Sequence, residues 1–136
     1  MKLLVHIEQY DLVGILPSQL ESLSLLCSAM GVTQAAYIDN TLDGFKNIGG
    51  FDKFRSLKHF LETETGPFVV LSPDGEDIRE TVIPENSWLI FGPSMGFQKE
   101  DFDNVEVIKV KVPGGTMNSR DVVPIALWQF SKWQVQ

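Results

Sequence analysis

The chain has 136 residues, of which 43% are hydrophobic and 21% charged, values that predict one folded domain over 1–136 rather than a disordered segment. Its net charge of −7 opposes unspecific attraction to nucleic acid or an anionic membrane, so a polyanionic partner would need a local binding patch. A single cysteine, Cys27, excludes an internal disulfide and a cysteine-rich zinc site. The opening residues are too polar for a signal peptide or a membrane span. We therefore expect a cytoplasmic protein that contacts neither a membrane nor a metal.

Strand-like and helix-like segments alternate along the first half of the chain. Residues 2–8 read as a strand, and Ser18 with Glu21 forms an S-x-x-E capping box before a helix that Gly31 ends. A second strand is predicted at 34–39. The segment 51–64 predicts a second helix, capped by Asp52, whose apolar stripe consists of Phe54, Leu57, Phe60 and Leu61.

The second half of the chain continues the alternation. The apolar runs at 67–72 and 88–91 suit strands that are buried on both faces. Residues 105–112 are two-sided and predict a strand nearer an edge, followed by a helix over about 121–133 with Pro124 in its first turn. This order predicts a single α/β domain with a mostly parallel sheet flanked by helices.

A glycine-bearing turn follows the apolar run at 88–91. Gly92, Ser94 and Gly96 fit the G-x-S-x-G pattern of a hydrolase nucleophile elbow. The triad of that fold runs from serine to acid to histidine along the chain, whereas His6 and His59 both precede Ser94. Phosphate-binding glycine motifs are absent from the sequence as well. The pattern therefore favours a turn after a buried strand over a catalytic serine.

A second strand end near the C-terminus has a similar form. The strand at 105–112 is followed by Pro113-Gly114-Gly115, by Thr116-Met117-Asn118 and then by the last helix. Ligands of open α/β sheets collect at the carboxyl ends of the strands. If the two strands are neighbours in a parallel sheet, their glycine turns predict a ligand site between them.

These segments resemble the SPOUT methyltransferases. "LIFGPSMGF" resembles their "LVFGPE-x-x-G" segment, and "TMNSRDVVPIALWQF" resembles "S-[LM]-N-x-S-x-x-x-A-x-x-x-Y-E". Val112-Pro113 matches the Ile-Pro before the second motif, and the helix in "ILPSQLESLSLLCSAMGV" resembles the family's first helix, which carries P-x-N-x-G-x-x-x-R. The resemblance covers both ends of the chain, and its length is close to that of a minimal member.

The resemblance implies a C-terminal trefoil knot whose turns cradle S-adenosylmethionine (AdoMet). Backbone N–H and C=O groups can read an adenine edge, and glycine permits close approach to a ligand. The positions that it assigns to the cofactor are Leu71, Phe91, Gly92, Gly96, Val112, Met117 and Asn118. A purely structural role is open for several of them, since the apolar side chains suit a core and Asn118 suits a helix cap.

Departures from the family pattern fall where the acceptor would be activated. Leu25 stands at the place of the family's arginine, and Gln19 and Glu21 stand at the asparagine and glycine places. Ser94 replaces the acidic residue after Gly-Pro, and the loop after Val112-Pro113 is about four residues shorter by that comparison. Arg120 is the candidate for the missing positive charge and Glu21 for a general base.

Two functions follow as hypotheses. The first is an RNA methyltransferase acting on tRNA or rRNA, with Lys46, Lys53, Arg55 and Lys58 as phosphate-binding candidates around one helix, or else as ordinary solvated charges. The second is a noncatalytic SPOUT-like protein that binds AdoMet or a protein partner, which the missing arginine and the acidic charge favour. Apolar residues spread over much of the last helix, from Val122 to Trp133, also predict a homodimer.

Overall fold

A computed structural model describes residues 1–8, 15–39, 50–93, 95–112 and 119–134, with the side chains of the last range described from 121 to 129. The strands are β1 (Lys2–Ile7), β2 (Gln34–Asp39), β3 (Phe51–Phe54), β4 (Phe68–Asp77), β5 (Trp88–Ile90) and β6 (Ile108–Lys111). The helices are α1 (Leu20–Ala29), α2 (Leu57–Thr63) and α3 (Ser119–Gln134). The predicted α/β class with a parallel sheet is confirmed.

The described strands form one parallel sheet in the order β3-β2-β1-β5-β4-β6. The chain builds one half outward from β1 to β3 and then crosses to build the other half, so β1 and β5 meet where the strand order reverses. Ligands of doubly wound sheets bind at such a switch point, beyond the carboxyl ends of the strands. The edge position predicted for the 105–112 strand is confirmed because β6 is last in the strand order, although the strand covers only Ile108–Lys111. Lys109 and Lys111 are exposed and Val110 is buried.

Two hydrophobic clusters cover the two faces of the sheet. On one face, alternate residues of β1 pack with α1 and α3, including Leu3, Val5 and Ile7. On the other face, Leu4 packs with the aromatic residues Phe60 of α2 and Trp88 of β5. Because β1 is buried on both faces, every one of its residues from Leu3 to Ile7 is shielded from solvent.

The beginning of α1 differs from the predicted capping box. A short 3-10 turn, Pro17–Gln19, precedes the helix, and the N–H of Leu16 donates to the Gln19 side chain at 2.8 Å. The N-cap residue of α1 is Gln19, the last residue of the turn that Pro17 starts, so the predicted box of Ser18 and Glu21 is wrong. The predicted stop is confirmed: Gly31 follows the helix with a φ of +76°.

The second predicted helix is also wrong over its first residues. Phe51–Phe54 forms β3 at the edge of the sheet and pairs with β2, and Asp52 therefore caps no helix. The helix begins only at Leu57, where the hydroxyl of Ser56 accepts the N–H of His59 at 3.0 Å. Phe51 and Phe54 are buried while the two residues between them are exposed, which is enough apolar surface to anchor a short edge strand.

Helix α3 begins at Ser119, earlier than predicted, and so contains Pro124 beyond its first turn. Proline cannot donate to the carbonyl four residues earlier, so one helical hydrogen bond is missing there. The first-turn placement of Pro124 is therefore wrong. Within the described ranges, none of the helices combines the length and hydropathy needed to cross a bilayer, and His, Cys, Asp and Glu side chains do not gather in a group of three that could hold a metal ion.

Candidate functional site

The carboxyl ends of β5, β4 and β6 lie side by side and carry three of the predicted cofactor residues. Leu71 of β4 is in register with Val110 of β6, and the preceding Val70 is in register with Ile90 of β5. Phe91 directly follows β5 and Val112 directly follows β6. Phe91 and Val112 are buried in the cluster on the α1 and α3 face, and half-buried Leu71 packs against the same cluster. Three residues that the resemblance assigns to the cofactor therefore lie at the same edge of the sheet.

Strand β4 is interrupted at this edge. After Leu71 it leaves the ladder for the residues 72–75, and Glu76 then pairs with Val110 again. Gly75 permits the return, because a Cβ at this position would lie 2.6 Å from the amide nitrogen of Val110. A bulge of this kind bends a strand and redirects its side chains, and bulges are common beside functional sites. Leu71 is consequently the last residue of the regular part of β4 at the candidate site.

The turn after β5 is held by backbone contacts and by one aromatic ring. The N–H of Phe91 donates to the carbonyl of Leu4 at 2.9 Å, and the N–H of Gly96 donates to the carbonyl of Pro93 at 2.8 Å. A Cβ at Gly92 would lie 2.8 Å from Cε2 of Phe97, so a side chain at this position would have to displace that ring. Gly96 has a φ of +81° with open space around it. Each glycine therefore has a reason within the chain itself, beyond the close approach to a ligand that the sequence suggested.

His6, near the end of β1, contacts this turn, a role that the sequence alone did not predict. Its Nδ1 lies 2.8 Å from the carbonyl oxygen of Phe91, and its side chain is buried. Burial lowers the pKa of the His6 imidazole from its ordinary value, although the bond to Phe91 and the charge of Asp101 act in the opposite direction. The available signal was a histidine within an apolar run of β1, because a buried polar group needs a partner.

The remaining residues assigned to the cofactor lie outside the described ranges. These are Met117 and Asn118, with Ser94 of the discarded hydrolase interpretation also outside them. The backbone of Arg120 belongs to α3, but its side chain is not described. The segment 113–118, which would carry the second glycine turn and complete a knot, stays a prediction.

The residues assigned to the acceptor side lie on and beside α1. Glu21 is exposed in the first turn of α1, and Leu25, at the place of the family's arginine, is 74% exposed. Between α1 and α3 lies a cleft of about 400 Å³ whose polar lining is Gln19, Ser22 and Asp121. Ile15 also lines the cleft and forms a β-bridge with Ile7, so the cleft lies beside the carboxyl end of β1.

The basic candidates do not share one helix. Lys53 lies on β3, and its Nζ is 3.3 Å from Oδ2 of Asp39, a carboxylate with only 4% of its side chain exposed. Arg55 follows β3 and Lys58 lies on α2, both exposed, while Lys46 is outside the described residues. The single-helix cluster is therefore wrong, because the first part of that segment is a strand. Lys53, Arg55 and Lys58 are all exposed at this edge of the sheet, but Asp39 partly neutralises the charge of Lys53.

The fold is that of the SpoU/TrmH group of RNA methyltransferases, and the resemblance inferred from the motifs is confirmed at this level. A structure that concerns the 2-OH methylation of C/U34 on tRNA superposes with a TM-score of 0.68 at 18% identity, covering 97% of this chain and 90% of the other. The A. aeolicus TrmH/SpoU tRNA modifying enzyme gives a TM-score of 0.67 at 15% identity, with 97% and 74% covered.

An AdoMet-bound rRNA methyltransferase from Sinorhizobium meliloti shares the fold with a TM-score of 0.61 at 10% identity, over 96% of this chain and 54% of the other. No protein-family model matches the sequence, and no curated protein is similar to it at a significant level. At these identities the likeness concerns the fold, and the activity has to be argued from the site.

Proposed function

We propose that this protein is an AdoMet-dependent RNA methyltransferase acting in the cytoplasm on tRNA or rRNA. The observation that carries the proposal is the meeting of Leu71, Phe91 and Val112 at the carboxyl ends of three neighbouring strands, where the resemblance assigns the cofactor. The S. meliloti structure with the same fold is bound to AdoMet, which supports this ligand. In this proposal, Gly92, Gly96, Met117 and Asn118 complete the cradle, and the segment 113–118 closes a trefoil knot.

Methyl transfer requires an oxygen nucleophile of the RNA in line with the sulfonium carbon, so that the O–C bond forms as the S–C bond breaks. The hydroxyl proton must pass to a base, for which exposed Glu21 is the candidate, and Arg120 supplies positive charge near the start of α3. The cleft between α1 and α3 is lined by Ser22 and Asp121, the sequence neighbours of these two residues. Approach of the RNA is assigned to Arg55 and Lys58, with smaller contributions from Lys46 and from Lys53 beside Asp39.

We further propose a homodimer. Trp128 and Ile125 of α3 are 54% and 37% exposed. Exposed apolar side chains on this helix suit a subunit interface. Light scattering at tens of micromolar, an order of magnitude suited to a stable interface, is expected to give the mass of two chains, and a monomer mass would contradict the dimer.

One observation favours the second candidate, a noncatalytic AdoMet-binding protein: the place of the family's arginine holds Leu25, whose side chain points to solvent with 74% exposure. Transfer of a tritiated methyl group from AdoMet to total cellular RNA separates the candidates. We expect transfer by the wild type and strong losses in Arg120→Ala and Glu21→Gln. Robust transfer unchanged in Arg120→Ala would refute the role of Arg120, and no transfer to any RNA despite tight AdoMet binding would favour the noncatalytic protein.

A further inference from the structure

His6 is one of two buried polar residues, with Ser87, among the residues whose burial is described. It is 6% exposed and lies on the sheet face opposite α1, beside the aromatic residues of the turn after β5. A polar side chain in a buried strand costs stability unless its hydrogen bonds are made, so its partners indicate its purpose.

The first partner is the peptide that starts the turn. A carbonyl oxygen only accepts, so the 2.8 Å contact requires that Nδ1 of His6 carries a proton and donates it to Phe91. The N–H of the same residue donates to the carbonyl of Leu4. Strand β1 therefore fixes both polar backbone groups of Phe91, one through its backbone and the other through the His6 side chain.

The second partner is the ring at the other end of the turn. The centroid of Phe97 lies 6.0 Å from that of the His6 imidazole in an edge-to-face arrangement. Phe97 is the ring that covers Gly92, and it is supported from behind by Phe102 with a centroid distance of 5.1 Å. His6 thus touches the carbonyl that opens the turn and the ring that closes it.

We propose that His6 is the positioning residue of the turn after β5, holding Phe91 and Phe97 in the places that receive the adenosine part of AdoMet, and that a positive charge on this buried imidazole opens the turn. The inference rests on the proposed function for its ligand. His6 touches no substrate in this proposal and acts through Phe91 and Phe97.

The sign of the pH effect follows from the surroundings of His6. Its register partner in β2 is Ile38, and the turn contributes Phe97, both uncharged. Among the described residues the charge that acts on it is that of Asp101, in the loop after the turn, and this favours the imidazolium. Desolvation is the larger effect, so the pKa of His6 in the closed turn lies below its ordinary 6.5. The closed turn is therefore fully favoured above pH 6.5, and its advantage is lost as the pH falls below that value toward the lowered pKa.

Two variants test the positioning role. His6→Asn keeps an N–H donor and removes the titration, whereas His6→Leu keeps volume and removes the donor. The matched control is His59→Asn, which changes the other histidine of the chain, on α2. The measurements are AdoMet affinity by calorimetry between pH 5 and 8, and amide hydrogen exchange of residues 92–98 without ligand.

We expect wild-type affinity for AdoMet to fall below pH 6.5, by about tenfold for each unit of pKa difference between the open and closed turn. His6→Asn should bind AdoMet within about threefold of wild type at pH 7, a margin of about half of a tenfold step in free energy. The pH dependence of binding should disappear in His6→Asn and persist in His59→Asn. His6→Leu should bind more weakly at pH 7 and exchange the Gly96 amide faster.

Unchanged affinity in His6→Leu, or a pH dependence that survives in His6→Asn, would overturn the proposal. If His6→Leu does not fold, the comparison of wild type with His6→Asn decides. If wild type does not bind AdoMet at any pH, the proposed cofactor fails, yet the exchange data still test His6: protection of the turn that is equal in wild type and His6→Asn at pH 5 and pH 7 would contradict its release by protonation.

Discussion

The turn after β5 and the outer face of α1 differ in how completely the chain itself determines them. In the turn, Phe97 covers Gly92, Gly96 takes a φ of +81°, and His6 bonds the carbonyl of Phe91. On α1, Leu25 is 74% exposed and Glu21 is exposed as well. One region is fixed by contacts within a single chain, and the other presents side chains to solvent.

Under the proposed function, this difference means that the cofactor half and the acceptor half of the site can be changed separately. A cofactor cradle needs a preorganised backbone, which intrachain contacts supply. Acceptor chemistry needs groups brought to the reacting oxygen, and an RNA or a second subunit can supply them only on assembly. We therefore expect changes in the turn to alter cofactor binding by themselves and changes on α1 to alter only the transfer step.

The largest effect is expected for Gly92→Ala. The new methyl group would overlap the Phe97 ring at 2.8–2.9 Å, which displaces either the ring or the turn. Overpacking of this kind costs about 1–3 kcal/mol of unfolding free energy. AdoMet affinity should fall by at least about tenfold, or 1.4 kcal/mol. Calorimetry and thermal unfolding measure both quantities.

A second change separates overlap from cofactor contact. Adding Phe97→Leu to Gly92→Ala relieves the overlap, so the stability lost in the single variant should be largely recovered. Full recovery of AdoMet affinity together with stability would assign Gly92 a purely internal role. Affinity that stays low in a stable double variant would place the ligand against Gly92 itself.

A smaller effect is expected for Gly96→Ala, and Gly31→Ala is its matched control. Both glycines have a positive φ, +81° and +76°, and neither has an atom within 4 Å of a Cβ. Each substitution should therefore cost a similar amount of unfolding free energy, about 1–2 kcal/mol, through backbone strain alone. Only Gly96→Ala should weaken AdoMet binding. Equal affinities of the two variants would remove Gly96 from the cofactor site.

The smallest effect on the fold, and the sharpest on chemistry, is expected for Leu25→Arg. An exposed helix position tolerates this exchange within about 0.5 kcal/mol of unfolding free energy. If the acceptor side lacks only this charge, transfer of a tritiated methyl group to RNA should rise while AdoMet affinity stays constant. Unchanged transfer would show that the charge comes from elsewhere, with Arg120 as the first candidate.

A further prediction concerns RNA binding at the β3 edge of the sheet. Arg55 and Lys58 lie at the β3 edge of the sheet, and Lys111 lies exposed on β6 at the opposite edge. Arg55→Ala with Lys58→Ala should lower RNA affinity and flatten its salt dependence, by a slope of about 0.7–0.9 for each lost phosphate contact. Lys111→Ala is the control. Equal losses for both edges would indicate general electrostatics rather than a site.

Much of the fold was predictable because strong local patterns coincide with buried strands. The continuous apolar runs gave β4 and β5, and the positive φ of Gly31 follows from its place after α1. Strand β3 was not predicted because Phe54 also fits a helical stripe with Leu57 and Phe60. Its four residues are strand because they pair with β2, a long-range contact that no local period reports.

The candidate site, too, was only partly predictable from the sequence. Leu71, Phe91 and Val112 were assigned through the resemblance to the SPOUT methyltransferases, and their meeting was predictable because parallel strands end at one edge. His6 as a partner of Phe91 was not, since the two are 85 positions apart and only the pairing of β1 with β5 brings them together. The ion pair of Lys53 with Asp39 likewise depends on the pairing of β2 with β3.

Calorimetric titration of the wild-type chain with AdoMet and with S-adenosylhomocysteine tests the proposed cofactor site most directly. We expect saturable binding of both ligands to one site per chain, retained in Gly31→Ala and in Leu25→Arg and weakened in Gly96→Ala. An absence of binding heat for both ligands, at several temperatures and in a folded sample, would contradict the claim that the carboxyl ends of β4, β5 and β6 form a cofactor site.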